Sequence, residues 1–139
     1  MTAQAFPDVL EKAIDLAQKA GADAVDAMIV DSMELSASVR LGRTEHLERS
    51  ESEDLGLRVF VGKKQAIVSS TDRTPQALLE LVERAVAMAK EAPEDPYCGL
   101  AVSEEIAQTY PALDLADKTE FLAEELIARA QEAEEAARA

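Results

Sequence analysis

The sequence predicts an α+β fold: a mostly antiparallel sheet of four to five strands, with two helices packed on one face. Two observations predict the core of this fold. Apolar residues recur at helical spacing within residues 7–20 and again within 75–91. Between these segments, apolar and polar residues alternate, which is typical of strands with one buried face. A third observation, the Ala/Glu-rich composition of residues 117–139, predicts an additional C-terminal helix.

The first helix has signals at both ends. Pro7 suits a first helical turn, and Gly21 follows the last apolar position. Asp8 near the start and Lys19 near the end complement the helix dipole. We therefore expect a helix over residues 7–20.

Several strands are predicted after this helix. Residues 24–30 form an apolar run, and residues 35–41 alternate strictly, so two strands joined by a tight turn at residues 31–33 are expected. A polar strand over residues 44–50 would lie at a sheet edge. Alternation then resumes at Leu55–Val61.

A hairpin and a second helix complete the predicted core. Gly62-Lys63-Lys64 is the expected turn between Leu55–Val61 and residues 65–69. Thr74 is the expected N-cap of the second helix, with Pro75 at its first position.

Three segments are expected along the chain: an α+β domain over residues 1–92, a Pro-containing connection over 93–116, and a C-terminal helix over 117–139 leading toward a missing downstream domain. The connection contains prolines at 93, 96 and 111, and a short helical turn is expected near residues 103–107.

Composition narrows the classes of function. The formal net charge of −14 would repel a polyanion, so direct nucleic-acid binding is not expected. The single cysteine, Cys98, cannot form an internal disulfide, and no apolar run approaches the roughly 20 residues that span a bilayer. We expect a cytoplasmic protein without membrane association, and no secretory signal is apparent at the start of the chain.

Two residues are candidate reactive groups, His46 and Cys98. His46 lies among glutamates and could hold a metal or carry a proton, but a zinc site needs three or four converging ligands, so a surface strand of mixed charge is favoured. Cys98 could be a nucleophile, but the only histidine is more than fifty residues away, so a packed or partly exposed loop position is favoured.

Two polar clusters are candidate binding sites. Ser69-Ser70-Thr71-Asp72 could bind a phosphate, a peptide or a partner subunit at the start of a helix, although local backbone capping explains the same residues. The carboxylates of the last helix are expected to form a solvated face; they are Glu124, Glu125, Glu132, Glu134 and Glu135. We therefore assign no catalytic, cofactor-binding or metal-binding residue.

Three stretches together resemble the TldD/PmbA family, and its PmbA branch, also called TldE, most. They are the hairpin run from Leu55-Gly56-Leu57 to Ser70-Thr71-Asp72, the loop Ala92-Pro93-Glu94-Asp95-Pro96-Tyr97-Cys98-Gly99-Leu100, and the Ala/Glu-rich last helix. Full-length members are about three times as long, so the resemblance implies an N-terminal domain fragment.

The resemblance implies a heterodimer with a TldD-type zinc metalloprotease that processes unfolded peptides, and a link to DNA gyrase through toxin and antitoxin peptides. The family's zinc motif, His-Glu-x-x-x-His, is not matched, because His46 is followed by Leu47. The fragment is therefore expected to be inactive by itself and without a cofactor. Self-association of the isolated fragment is left open, because truncation can expose apolar surface. The alternatives are a stand-alone interaction or structural module and a small hydrolase.

Overall fold

The computed structural model describes residues 5–139, and the observed class is the predicted α+β one. Its helices are α1 (Ala5–Lys19), α2 (Pro75–Glu91) and α3 (Ala123–Arg138), and its strands are β1 (Ala24–Arg40), β2 (Arg43–Val61) and β3 (Lys64–Ser70). A single 3₁₀ turn, Ser103–Glu105, interrupts the irregular segment before α3, close to its expected position.

The sheet has three strands in the order β1-β2-β3 rather than four to five. The expected turn at residues 31–33 is wrong, because β1 passes through them without interruption. The expected boundary between residues 50 and 55 is also wrong, since β2 runs from Arg43 to Val61. Polar residues weaken the alternation there, but hydrogen bonds to a neighbouring strand maintain the extended backbone in a solvated ribbon.

Two-residue turns connect the strands. Leu41 and Gly42 join β1 to β2 and both have positive φ, 53° and 73°, the pattern of a type I′ turn. Gly62 and Lys63 join β2 to β3, and only Gly62 has positive φ (59°), as in a type II′ turn. Lys64 pairs with Val61, so the turn is one residue shorter than the expected Gly62-Lys63-Lys64.

The ends of the helices follow their sequence signals. After α1, Gly21 has a φ of 102° and its N–H donates to the carbonyl of Gln18, while the N–H of Ala22 donates to the carbonyl of Ala17. This pair of hydrogen bonds is the Schellman arrangement that a glycine at this position allows. At α2, Thr74 is the N-cap and Pro75 the first residue, as predicted.

The core lies between the two first helices and the sheet. α2 packs on β3 and on α1. In the β2–β3 hairpin, Leu57 faces Val68 and Val59 faces Ala66, so these four side chains share one face and join the core. Ala13 and Ala17 of α1 are fully buried in the same cluster. This one-sided burial is the physical reason for the alternation seen in the sequence.

The chain divides into two compact units. The core unit comprises the chain up to Asp31 together with Ser52–Ala107. The hairpin unit comprises Ser32–Glu51 and Gln108–Ala139, and therefore contains the β1–β2 turn and α3. The buried apolar side chains found among residues 5–139 all lie in the core unit.

Candidate functional site

Arg73 is an enclosed charged side chain in the core unit. It is only 7% exposed and donates through Nη2 to Asp31 Oδ1 at 2.9 Å and to Glu53 Oε2 at 2.5 Å. Its guanidinium carbon lies 5.2 Å from the centroid of the Phe6 ring. Burial alone would lower the pKa of Arg73, but the hydrogen bonds and charges of Glu53 and Asp31 outweigh it and raise that pKa.

One nitrogen of this cluster is not satisfied. Nη1 of Arg73 is buried and has no hydrogen-bond partner. The surface beside it is a shallow depression that also contains Thr71, Asp72 and Thr74. An anion there would meet the carboxylates of Glu53 and Asp72 as well as a single guanidinium, so the electrostatics do not favour a phosphate site.

The hydroxyls and carboxylate before α2 are used for local capping. Ser70 Oγ donates to the carbonyl of Asp72 and accepts from its N–H, both at 3.0 Å. Asp72 Oδ1 accepts from the N–H of Thr74 at 2.8 Å, and Thr74 Oγ1 accepts from Ala77 N at 3.4 Å. The hydrogen bonds from Thr74 lower the pKa of Asp72. Local capping therefore accounts for the positions of Ser70, Asp72 and Thr74.

His46 lies on the exposed part of β2. Its Nε2 is 2.9 Å from Glu48 Oε2, and both side chains are more than half exposed. Within residues 5–139, no group of three or more His, Cys, Asp or Glu side chains is placed to hold a metal ion. The structure therefore places His46 in a surface pair with one carboxylate.

Cys98 lies in a loop that is anchored to the β2–β3 turn. The thiol residue is buried, with 7% exposure. The N–H of Asp95 donates to the carbonyl of Lys63 at 2.7 Å, and Lys63 Nζ donates to the carbonyl of Cys98 at 3.4 Å. Asp95 Oδ1 also accepts from Tyr97 N at 2.9 Å. The hairpin run and the loop over residues 92–100, on which the family resemblance partly depends, are therefore in contact.

The hairpin unit contains a polar contact that the sequence did not reveal. The carboxylate of Glu134, on α3, accepts from the N–H of Leu41 at 2.5 Å and from the N–H of Gly42 at 2.7 Å. Gln131 Nε2 donates to the carbonyl of Gly42 at 3.4 Å. These bonds hold the β1–β2 turn against α3.

Glu134 is half-buried, whereas the other α3 carboxylates considered in the sequence are exposed, as expected. Glu134 binds the turn, and Glu125 Oε2 accepts from the N–H of Leu122 at 2.8 Å, which caps the start of α3. Glu134 follows Gln131 by three residues, so both lie on one face of the helix. That spacing could have indicated a shared partner, although a strand turn 92 residues away in sequence could not have been identified from it.

An apolar groove lies in the same unit. Its walls combine strand and helix residues, namely Met33, Leu35, Arg49, Thr119, Glu120, Phe121, Leu122 and Leu126. Phe121 stacks under Arg129, whose guanidinium carbon is 4.5 Å from the ring centroid. Large apolar side chains of this groove remain exposed, among them Met33 at 63% and Leu122 at 66%.

None of the helices in the described part of the chain is long and apolar enough to cross a membrane.

Comparison with known proteins gives consistent results. Residues 25–89 match the model of PmbA/TldA metallopeptidase domain 1. The chain is 32% identical over 132 residues to Metalloprotease PmbA of Escherichia coli O157:H7, and 33% identical over 125 residues to a Metalloprotease PmbA homolog of Haemophilus influenzae. These alignments cover 93% and 90% of this chain but only 29% and 28% of the relatives.

Two solved structures share the fold. One is a protein of Bacteroides thetaiotaomicron designated a modulator of DNA gyrase, with a TM-score of 0.77 and 19% identity over 85% of this chain and 27% of that one. The other is TldE from Thermococcus kodakarensis, with a TM-score of 0.66 and 18% identity over 94% of this chain and 29% of that one. At these identities the likeness concerns the fold alone.

Proposed function

The chain belongs to the PmbA/TldD metallopeptidase family, and we propose that it acts as the non-catalytic first domain of a PmbA/TldE-like protein that assists a TldD-type zinc metalloprotease. The main support for this proposal is an alignment that covers 93% of this chain and 29% of Metalloprotease PmbA of Escherichia coli O157:H7. Residues 25–89 also match the model of the family's first domain. The chain spans less than a third of the length of these relatives. We therefore propose that it positions the partner and the peptide and does not itself cleave peptide bonds.

An open strand edge supports binding of unfolded peptide. β3 pairs only with Leu55–Val61 of β2, and the described sheet contains no strand beside β2 over residues 43–51 other than β1. The backbone groups on that side are available to an extended chain, which would add as a strand. Because such binding uses backbone hydrogen bonds, it would tolerate many peptide sequences.

The gyrase connection follows from the same role. One structural relative is designated a modulator of DNA gyrase, and we propose that any such effect of this protein is indirect, through peptides that act on gyrase. The net charge of −14 opposes contact with DNA itself. We place this activity in the cytoplasm, where a lone cysteine such as Cys98 is normally kept reduced.

The proposal is tested with the TldD-type subunit of the same organism. The two proteins are expected to co-purify and to degrade an unfolded peptide together. Failure to co-purify under conditions in which both are folded would contradict the heterodimer and favour a stand-alone interaction module.

The peptide edge is tested separately by NMR. Adding an unfolded peptide to the chain is expected to shift the amide resonances of residues 43–51. Residues 55–61 of β2 are the internal control, because they already have strands on both sides. Shifts confined to the control, or no shifts in either segment, would contradict strand addition at this edge.

A further inference from the structure

We propose that the tip of the β1–β2 hairpin is a docking knob, in which Leu41 inserts into an apolar socket bordered by carboxylate on a partner protein. The inference rests on the proposed function, because the partner we assign is the TldD-type protease subunit.

The conformation of Leu41 is unfavourable for its residue type. It has a φ of 53° in a type I′ turn, where Asn, Asp or Gly is preferred because a Cβ crowds the backbone in the left-handed region. Its side chain gains no packing in return, since the residue is 69% exposed. Neither turn geometry nor burial explains a leucine at this position. An exposed apolar side chain on a strained backbone is a feature that binding would explain.

The turn that carries Leu41 is held in one orientation. The carboxylate of Glu134 binds the N–H groups of Leu41 and Gly42, and Gln131 binds the carbonyl of Gly42. Both polar residues project from α3, so the tip is fixed at several backbone atoms. A knob fixed in this way loses less conformational entropy when it inserts into a partner.

Charge near the tip indicates the chemistry of the partner. Arg40 and Arg43 flank the turn in a chain whose net charge is −14. Arg40 is paired with Glu45 at 3.4 Å, and both oxygens of Glu134 are occupied by the turn. The side chain of Arg43 is exposed and has no ion-pair or hydrogen-bond partner within residues 5–139. A carboxylate at the edge of the socket would complement it.

The test compares Leu41→Asn with Leu113→Asn. Asn adopts the left-handed conformation readily, so Leu41→Asn removes the apolar anchor while relaxing the turn. Leu113 is matched in exposure, at 64%, and lies in an irregular segment. Each variant and the unaltered chain are titrated with the TldD-type subunit by calorimetry, and their melting temperatures are measured. The association rate of Arg43→Gln with the TldD-type subunit is compared with that of the unaltered chain at low and at high salt.

We expect Leu41→Asn to raise Kd at least about tenfold, as for an interface hot spot, while its melting temperature stays the same or increases. Leu113→Asn should bind like the unaltered chain. Arg43→Gln should slow association at low salt, as is typical of a charge at an interface rim. A merely structural role for Leu41 would instead lower the melting temperature.

Binding of Leu41→Asn within about twofold of the unaltered chain would overturn the knob and leave the proposed function intact. No binding by the unaltered chain would overturn both. Sedimentation tests whether a second copy of this chain receives Leu41 instead of the protease subunit. Self-association that is lost in Leu41→Asn, while binding to the protease subunit is retained, would show that it does and would overturn the proposal.

Discussion

In the Arg73 cluster, removing the two carboxylates and removing the guanidinium should lower the free energy of unfolding by different amounts. The perturbations are the double change Asp31→Asn with Glu53→Gln, and the single change Arg73→Met. The first removes both negative charges and leaves the guanidinium in place. The second removes the guanidinium and leaves both carboxylates.

The exposure of each side chain determines which change lowers the free energy of unfolding more. The Arg73 side chain is 7% exposed, whereas those of Asp31 and Glu53 are 36% and 54% exposed. Without its carboxylates, the guanidinium stays buried with Nη1 already unpaired, so we expect a loss of about 2–4 kcal/mol in the free energy of unfolding, somewhat below a fully buried pair. Arg73→Met releases the carboxylates to water and retains apolar contact with Phe6, so about 1–2 kcal/mol is expected.

The assay is urea unfolding followed by far-ultraviolet circular dichroism, with a constant m value as the check on comparability. Asp26→Asn is the matched control, because its partner Arg58 is 37% exposed and remains hydrated. The control should cost about 0–1 kcal/mol. The unequal effects would be disproved if Arg73→Met were the most destabilising of the three changes, or if Asp26→Asn cost as much as the double change.

The remaining predictions concern the core, the α2 cap and the α3 contact. Leu57→Ala should destabilise by about 2–5 kcal/mol in the same urea assay, because this side chain is 1% exposed and would leave a cavity. Thr74→Ala should cost about 0.5–1 kcal/mol, since the lost capping bond is long, and Thr74→Ser should restore most of it. Hydrogen bonds from Gly42 and then Leu41 lower the pKa of Glu134 below its usual 4.5, so their stabilising effect is present above that pH and is lost as pH falls through the lowered value. The protection of the Leu41 and Gly42 amides, judged from their exchange rate relative to the intrinsic rate at each pH, should therefore fall in acid, and Glu134→Gln should remove that dependence.

The sequence predicted what depends on neighbouring residues. Gly21 ended α1, Thr74 and Pro75 began α2, and the one-sided alternation of Leu57 and Val59 identified the core face. Each signal acts within a few residues, through a backbone conformation or the period of a strand. At these positions the tertiary contacts agree with the local signals, so the predictions are confirmed.

The features that sequence missed are determined by distant partners. Asp31 and Ser32 indicated a turn, but pairing with β2 keeps β1 extended through them. The contact of Glu134 with Gly42 joins residues 92 positions apart, and the pairing of Arg73 with Asp31 joins residues 42 apart. Nothing in the local pattern distinguishes these side chains from others of the same type on a solvated surface.

The two units are stabilised by different kinds of contact, and this bears on how the protein would engage a partner. Buried apolar side chains among the described residues lie in the core unit, while α3 presents half-buried residues such as Leu126 and Ile127 and holds the hairpin turn through Glu134. Polar contacts exposed to water stabilise weakly but fix geometry, so the hairpin unit should open at lower free energy than the core unit. A partner that covered Leu41 and the apolar groove would remove apolar surface from water in the less stable unit, and its binding would therefore stabilise the hairpin unit more than the core unit.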